Sequence, residues 1–414
     1  MVWSPGLPPR VVVFSELYWP EDTSTGFFVT GIAEGLAQER EVLVFCAQPT
    51  YGRRGLRAPR QERHRDVDVH RVTSTTFTHH RSLGRAINSL TIAGSLSFHA
   101  LRQLRADDQV LVVTNPPLLP YLVILAARLR RARCALLVHD VYPEVLEATG
   151  TVGRDGLIAR AVRRLARWLY RSADRVVVLG RDMAALVATY LDGATTRIAL
   201  IPNWGDVDEI TPGPRKGNAL LTKLRLEAKF VVQWLGNMGR THAFEALLHA
   251  AAKMQGNRDV HFLFVGWGAR RAWLEREIGR RALDNVTLLP PCGREDLSAY
   301  LAACDLAVIA FVPGMTGVSV PSRLYNVMAS GRPLLAVADP ESELSLVIRE
   351  EGAGWTVPPA EPEGVVTAIA SAVAAGAESR AQMGARARRA AENRYSRPAV
   401  IRSWRNLFAE DWRH

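Results

Sequence analysis

Short runs of consecutive apolar residues alternate along the chain with longer stretches in which apolar residues return every three or four positions. A run of about four to eight apolar residues closed by turn residues suits a strand covered on both faces, and the longer spacing suits a helix with one buried side. The pattern predicts strands at 11–15, 42–46, 67–72, 110–114, 134–139, 175–179 and 198–201, with helices between them. It then restarts, with strands at 230–235, 260–265, 286–289, 306–311, 333–337 and 355–357. Strands that alternate with helices form parallel sheets with crossover helices, so the chain reads as α/β with two facing Rossmann-like domains. Gly205, Pro212, Gly213, Pro214 and Gly217 mark a break between the two series. That break gives a first domain at 1–205, a linker at 206–218 and a second domain at 219–395. In the remaining segment, 396–414, Val400, Ile401, Trp404, Leu407 and Phe408 recur at helical spacing, which predicts a helix crossing back onto the first domain.

Composition narrows the class. The 414 residues are 48% hydrophobic and 22% charged, which excludes disorder and collagen-like repeats. The best apolar stretch, 121–129, is interrupted at Arg128 and followed by Arg130 and Arg131, so no membrane span is expected. The first ten residues lack the charged start and apolar run of a secretion signal. Cys46, Cys134, Cys292 and Cys304 are scattered, as free thiols of a reducing compartment would be, and the expected location is cytoplasmic. The formal net charge is +11, and only Lys216, Lys223, Lys229 and Lys253 are lysines, so the excess is almost wholly arginine. Arginine-rich coding alone, or a polyanionic partner, would each account for it.

Ligands of open parallel sheets lie beyond the carboxyl ends of the strands, so chemistry is expected where predicted strands end. At the end of 230–235, Gly236, Asn237 and Gly239 form a turn that would let backbone N–H groups approach a phosphate, and Arg240 follows it. Gly266 and Gly268 make a second such turn. Pro321 suits the first turn of a helix, which places the N–H groups near Ser322 and the guanidinium of Arg323 at a second anion site, with Ser319 just before them. In the first domain, Gly26 lies in a small-residue loop after the first strand, where it would permit close approach to a ligand. His139 and Asp140 stand at the end of a buried strand and read as sugar-binding or catalytic.

Taken together these segments resemble the retaining glycosyltransferases of family four, which share the GT-B fold, along nearly the whole chain. The likeness lies in the Gly26 loop, His139-Asp140, Ile201-Pro202-Asn203, Gly236 to Gly239, Gly266-Trp267-Gly268, Pro321-Ser322-Arg323 and the turn 329–333. It is nearest to the branch that builds cell-surface polysaccharide, including colanic-acid-type transferases. The resemblance implies transfer of a sugar from a nucleoside diphosphate donor, UDP-linked, to an acceptor hydroxyl on a lipid-diphosphate-linked or small saccharide. It implies retention of configuration, with the leaving phosphate helping to deprotonate the acceptor and His139 holding the donor sugar. Many members carry two glutamates where Val318 and Asn326 stand here. An Asn amide can still bond a ribose hydroxyl, whereas valine cannot replace a carboxylate. Ser319 and Glu343 remain as candidate contacts to the donor sugar.

No cofactor or metal is expected, because Asp66 and Asp68 fall in a predicted edge hairpin away from the glycine turns. In 155–171 the residues Leu157, Ile158, Ala161, Val162, Leu165 and Leu169 form one stripe, and Arg160, Arg163, Arg164, Arg167 and Arg171 another. With Arg81, Arg85, Arg102, Arg105 and the 128–133 cluster they make the first domain basic, which fits either docking on the inner face of the plasma membrane or plain solvation. Nucleic acid is not expected as a partner, since no recognition motif is present and aromatics do not interleave the basic positions. A nucleotide-sugar epimerase of the same fold and a non-enzymatic membrane-associated scaffold are the competing readings.

Overall fold

The computed structural model describes residues 9–49, 57–77, 82–154, 156–410 and 412. Apolar runs become the mostly buried strands Val11–Phe14 (β1), Val42–Cys46 (β2), Gln109–Val113 (β5), Arg133–Leu137 (β6) and Arg175–Val178 (β7), while Val67–Arg71 (β4) alternates buried with half-buried residues. Gln61–His64 (β3) and Ile198–Leu200 (β8) complete an eight-stranded sheet of order β3-β4-β2-β1-β5-β6-β7-β8. All pairings are parallel except β3 with β4. The polar run 61–64 had no apolar signal, and only its place at the sheet edge allows so exposed a sequence to be a strand. Asp66 and Asp68 sit in that edge hairpin.

The second sheet has the order β11-β10-β9-β12-β13-β14 and is wholly parallel. It is built from Phe230–Leu235 (β9), Val260–Val265 (β10), Val286–Leu289 (β11), Leu306–Ala310 (β12), Leu334–Val337 (β13) and Gly354–Val357 (β14). Strand order reverses between β1 and β5 in one sheet and between β9 and β12 in the other, the two points at which a crevice opens beyond the strand ends. Several predicted strands run one or two residues too far: Thr114, Val138 and His139 lie just beyond the ends of β5 and β6.

Helices of the first domain fall on two faces. Ser24–Ala37 (α1) covers one, capped by the Thr23 hydroxyl, which accepts from the Gly26 N–H. Ser82–Gln103 (α2), Leu119–Arg130 (α3), Glu144–Ala148 (α4), Leu157–Ser172 (α5) and Arg181–Tyr190 (α6) follow in chain order, and α2, α3, α5 and α6 pack in sequence across the other face. In the second domain lie Ala219–Leu224 (α7), Phe244–Lys253 (α8), Arg271–Arg280 (α9), Leu297–Ala302 (α10), Arg323–Ala329 (α11), Glu343–Glu350 (α12), Pro362–Ala374 (α13) and Gly376–Asn393 (α14). Arg397–Ala409 (α15) returns to α1, and its Val400, Ile401, Trp404, Leu407 and Phe408 join the first domain's core. The chain passes between domains twice at one place, where Gly205 pairs with Ser396 and donates to the Tyr395 carbonyl at 2.8 Å.

The stripe assigned to α5 needs correcting. Ala159, Ala166, Leu169 and Tyr170 are the buried residues, while Leu157, Ile158 and Leu165 face outward. Arg81 and the side chain of Arg85 lie outside the described residues.

Contact between α1 and α15 depends on two glycines. A Cβ on Gly31 would stand 2.5 Å from the Trp204 ring, and one on Gly35 would overlap the Ile401 side chain. Gly35→Ala is expected to cost about 1–2 kcal/mol net, an overpacking penalty less the helix-propensity gain of alanine. Thermal melts should show the double variant Gly35→Ala/Ile401→Ala less destabilised than the sum of the two single changes. Strictly additive shifts would mean that the new methyl finds room elsewhere.

Candidate active site

Beyond β9 and β10 the two glycine turns lie directly on one another. Gly236 (φ 134°) and Gly266 (φ 147°) take backbone conformations that side chains rarely adopt, and a Cβ on Gly266 would overlap the Gly236 carbonyl. The Met238 N–H donates to the Trp267 carbonyl at 2.6 Å, and a Cβ on Gly268 would come within 2.5 Å of the Met238 oxygen. Gly236, Asn237 and Gly266 thereby line an open pocket of about 180 Å³, together with Trp267, Cys292 and Arg294.

Arg323, the first residue of α11, reaches across to this turn. Its guanidinium lies 4.3 Å from the Trp234 ring centroid, donates to the Asn237 carbonyl at 3.3 Å and meets the His242 Nε2 at 3.0 Å. Nη1 is buried with no partner, and among the described residues no carboxylate pairs with this cation. Burial pushes its pKa down to about 10. An uncompensated cation held away from water is costly and invites an anion. His242 keeps the guanidinium in place. Its Nδ1 faces the Ala310 carbonyl at 3.3 Å, so Nδ1 carries the proton and the bare Nε2 accepts from Arg323. Burial first, and the Arg323 charge second, hold this imidazole well below its usual pKa, hence neutral.

The first domain supplies the facing wall. The His139 N–H donates to Thr114 Oγ1 at 3.1 Å, which fixes the backbone at the end of β6. Burial pushes the His139 pKa down to about 4, and its Nε2 has no partner. Asp140 forms a backbone bridge with Ser319 and a side-chain bond to it, while the Val141 N–H donates to the Val318 carbonyl at 2.9 Å. Ser24, at the start of α1, meets the Ser322 hydroxyl at 2.9 Å, and the Arg294 guanidinium lies 3.8 Å from the Phe27 ring centroid. Gly26 is buried beneath this contact, with its N–H on Thr23.

His139, Asp140, Gly26, Ser319, Ser322, Arg323, Gly236, Asn237, Gly266 and Gly268 thus border one crevice. Gly239 lies on the same turn, against Asn237. Three nominated residues are placed differently. Arg240 is exposed and makes no ion pair among the described residues. The Asn326 side-chain oxygen accepts from the Asp206 N–H at 3.4 Å, toward the point where the chain crosses between domains. Glu343 is buried and accepts from the backbone N–H and Nε of Arg181, at 2.8 and 2.9 Å, across the domain boundary. Trp234 and His242, which hold Arg323, carried no sequence signal, since an aromatic within a strand and a lone His beside a turn both read as core.

Residues 25–204 match the family described as "Glycosyl transferase 4-like domain", and residues 229–375 match "Glycosyl transferases group 1". A protein of Pseudomonas aeruginosa described as "Probable glycosyltransferase WbjE" is 33% identical over 358 residues, 85% of this chain and 86% of that one. The chain is a family-four glycosyltransferase. A second relative of this glycosyltransferase, the "Putative colanic acid biosynthesis glycosyl transferase WcaI" of Escherichia coli (strain K12), is 25% identical and spans 88% of this chain and 92% of its own. Among solved structures, Anabaena HepE in complex with UDP and glucose superposes with a TM-score of 0.73 at 16% identity, covering 97% of this chain and 99% of that one. The glycosyltransferase therefore has the GT-B arrangement of two Rossmann-like domains.

The neutral imidazole of His139 has a measurable consequence. Its folded pKa of about 4 lies below the ordinary 6.5, so the unfolded chain binds the proton more readily. The stability this contributes is complete above pH 6.5 and is lost as pH falls toward 4. His139→Gln is expected to flatten the fall in Tm across that window in part, the remainder belonging to His242, whose shift has the same sign. Identical pH profiles for the two proteins would sink the assignment.

Proposed function

We propose that this glycosyltransferase moves a sugar from a UDP-linked donor to a hydroxyl of a lipid-diphosphate-linked saccharide, with retention of configuration and without a metal. It would act at the cytoplasmic face of the membrane in cell-surface polysaccharide assembly; one relative is named for colanic acid biosynthesis. The observation that carries the reading is the carboxylate-free Arg323 beside two superposed glycine turns. When the bond between the anomeric carbon and the phosphate oxygen breaks, the electron pair leaves with the diphosphate. Fixed donors aimed at that charge stabilise the transition state more than the ground state. Arg323, with its unpartnered Nη1, is a donor of this kind, and it supplies positive charge where an ion would otherwise be needed.

Two carboxyls of the domain boundary already have partners. The Asp140 carboxyl is engaged by Ser319, and the Glu343 carboxylate by Arg181. In this reading the departing phosphate oxygen takes the acceptor proton. The unpartnered Nε2 of neutral His139 suits a sugar hydroxyl. The pocket beside Trp267 suits a base, and the fold neighbour HepE was solved with UDP and glucose.

Product mass spectrometry with a panel of UDP- and GDP-sugars and a lipid-linked acceptor tests this reading. Transfer from a UDP-sugar is expected to continue in excess EDTA. Arg323→Ala is expected to lower kcat by about 10²–10³-fold, the usual loss for one such donor. Turnover unchanged in Arg323→Ala, or abolished by EDTA and restored by a divalent ion, would refute the assigned roles.

A further inference from the structure

Three helices of the first domain carry a surface that sugar transfer leaves unused. Helices α2, α3 and α5 lie side by side, and none of them contains an Asp or Glu. Leu122, Leu125 and Leu129 project from α3, and Leu157, Ile158 and Leu165 from α5, with Leu157 77% and Leu129 67% exposed. Trp168 of α5 stacks on Tyr121 of α3 with ring centroids 6.0 Å apart, joining the two stripes, and exposed Phe98 and Leu101 extend them onto α2. Single exposed leucines are ordinary, but a run across three neighbouring helices marks an interaction surface.

The charges around it say what it meets. Arg128, Arg131, Arg160, Arg164 and Arg167 are exposed, and among the described residues no carboxylate pairs with any of them. Arg163 and Arg171 differ, being paired with Glu147 and Asp192. A second copy of this chain packed about a twofold axis would set this arginine rim against itself. A polyanion alone would leave the leucines in water. We propose that this face docks on an anionic lipid bilayer, with the leucines of α3 and α5 among the acyl chains and the free arginines on headgroup phosphates.

Chain direction gives the docking an orientation. Helix α3 starts just beyond the carboxyl end of β5, and α5 ends just before β7 begins. Their first turns, with Leu122, Leu157 and Ile158, therefore lie at the crevice end of the sheet, while Arg128, Arg131 and Arg167 lie toward the opposite end. The proposal rests on the transferase reading only in that this brings the crevice mouth to the surface where a lipid-linked acceptor is held.

Co-sedimentation of the full chain with vesicles tests it, using phosphatidylcholine alone and an equimolar mixture with phosphatidylglycerol. Binding is expected to be at least about tenfold tighter on the anionic vesicles, given roughly 1 kcal/mol per basic residue near such a surface, and to weaken with salt. Leu122→Glu/Leu125→Glu should lose sedimentation at low salt, and Arg164→Glu/Arg167→Glu should lose the preference for phosphatidylglycerol, with UDP titration confirming that each variant is folded. Hydrogen exchange needs no variant: α3 and α5 should gain protection on anionic vesicles while α1 and α15 do not. Absence of sedimentation, equal binding to both vesicles, or a light-scattering dimer abolished by Leu122→Glu would each overturn the proposal. The assay contains no donor, so a chain that sediments but transfers no sugar refutes the transferase reading alone.

Discussion

A guanidinium held out of water without a carboxylate is the constraint around which the second domain is arranged. Removing an arginine from water costs several kcal/mol unless something compensates. Here the partial compensation is a ring face, one carbonyl and one imidazole nitrogen, and Nη1 is left with nothing. Each support makes its own demand. Trp234 must point off β9 toward α11, and His242 must stay neutral, since a proton on Nε2 would set two cations 3.0 Å apart. Gly236 must lack a side chain, because a Cβ there would stand 3.3 Å from the Arg323 Cζ. Stability given up in this way is the mark of a group preorganised for a ligand that brings the missing charge.

The two domains are joined unevenly. On the side where the chain crosses, Arg181 binds buried Glu343 and also Glu350, Asp182 accepts from the Gly317 N–H at 2.9 Å, and Gly205 fits under the Tyr325 carbonyl with no room for a Cβ. Glu343 is buried but the Arg181 side chain is 41% exposed, so solvent screens the pair and it is worth well less than a fully buried one. At the crevice mouth the joints are an exposed hydroxyl pair, Ser24 with Ser322, and Arg294 over Phe27. A net hydrogen bond is worth about 0.5–1.5 kcal/mol and an exposed cation–π contact about 0.5–1. The joints at the mouth are thus fewer and more exposed than those on the crossing side, an arrangement that suits a transferase admitting a donor and then shutting out water.

How much of this was legible depended on whether a signal was local. Buried parallel strands announce themselves as Val- and Leu-rich runs, and glycine turns at their ends mark places where backbones approach, so the sheets, the crevice and most of its rim could be read from the chain alone. Strand β3 could not, because a hydrogen-bonded edge strand needs no apolar side chains. Nor could the partners of Glu343 and Asn326, which lie 162 and 120 positions away in sequence. Helix α5 failed for a different reason. Its periodicity was real, but a moment shows only that two faces differ, and the buried face proved to be small, built on Ala159 and Ala166 with Leu169 and Tyr170. The larger leucines were left for solvent or for another surface.

The same distinction bears on the arginine excess. Arginine-rich coding would scatter arginines without regard to their partners, yet in the structure they sort by face. Several near the chain crossing and on α15 are consumed internally: Arg397 by Glu34, Arg405 by the Gly35 carbonyl, Arg40 by the Phe408 carbonyl, and Arg388 by the carbonyls of Val207, Ile210 and Ala329. A planar five-donor group is well suited to closing such carbonyl ends, and lysine would not do it. On α3 and α5 the arginines meet almost no acids, because those helices contain none and their neighbour α2 contains none either. Coding bias fixes how many arginines there are. It does not by itself set three acid-free helices side by side with their leucines exposed, and that combination is what the docking proposal draws on.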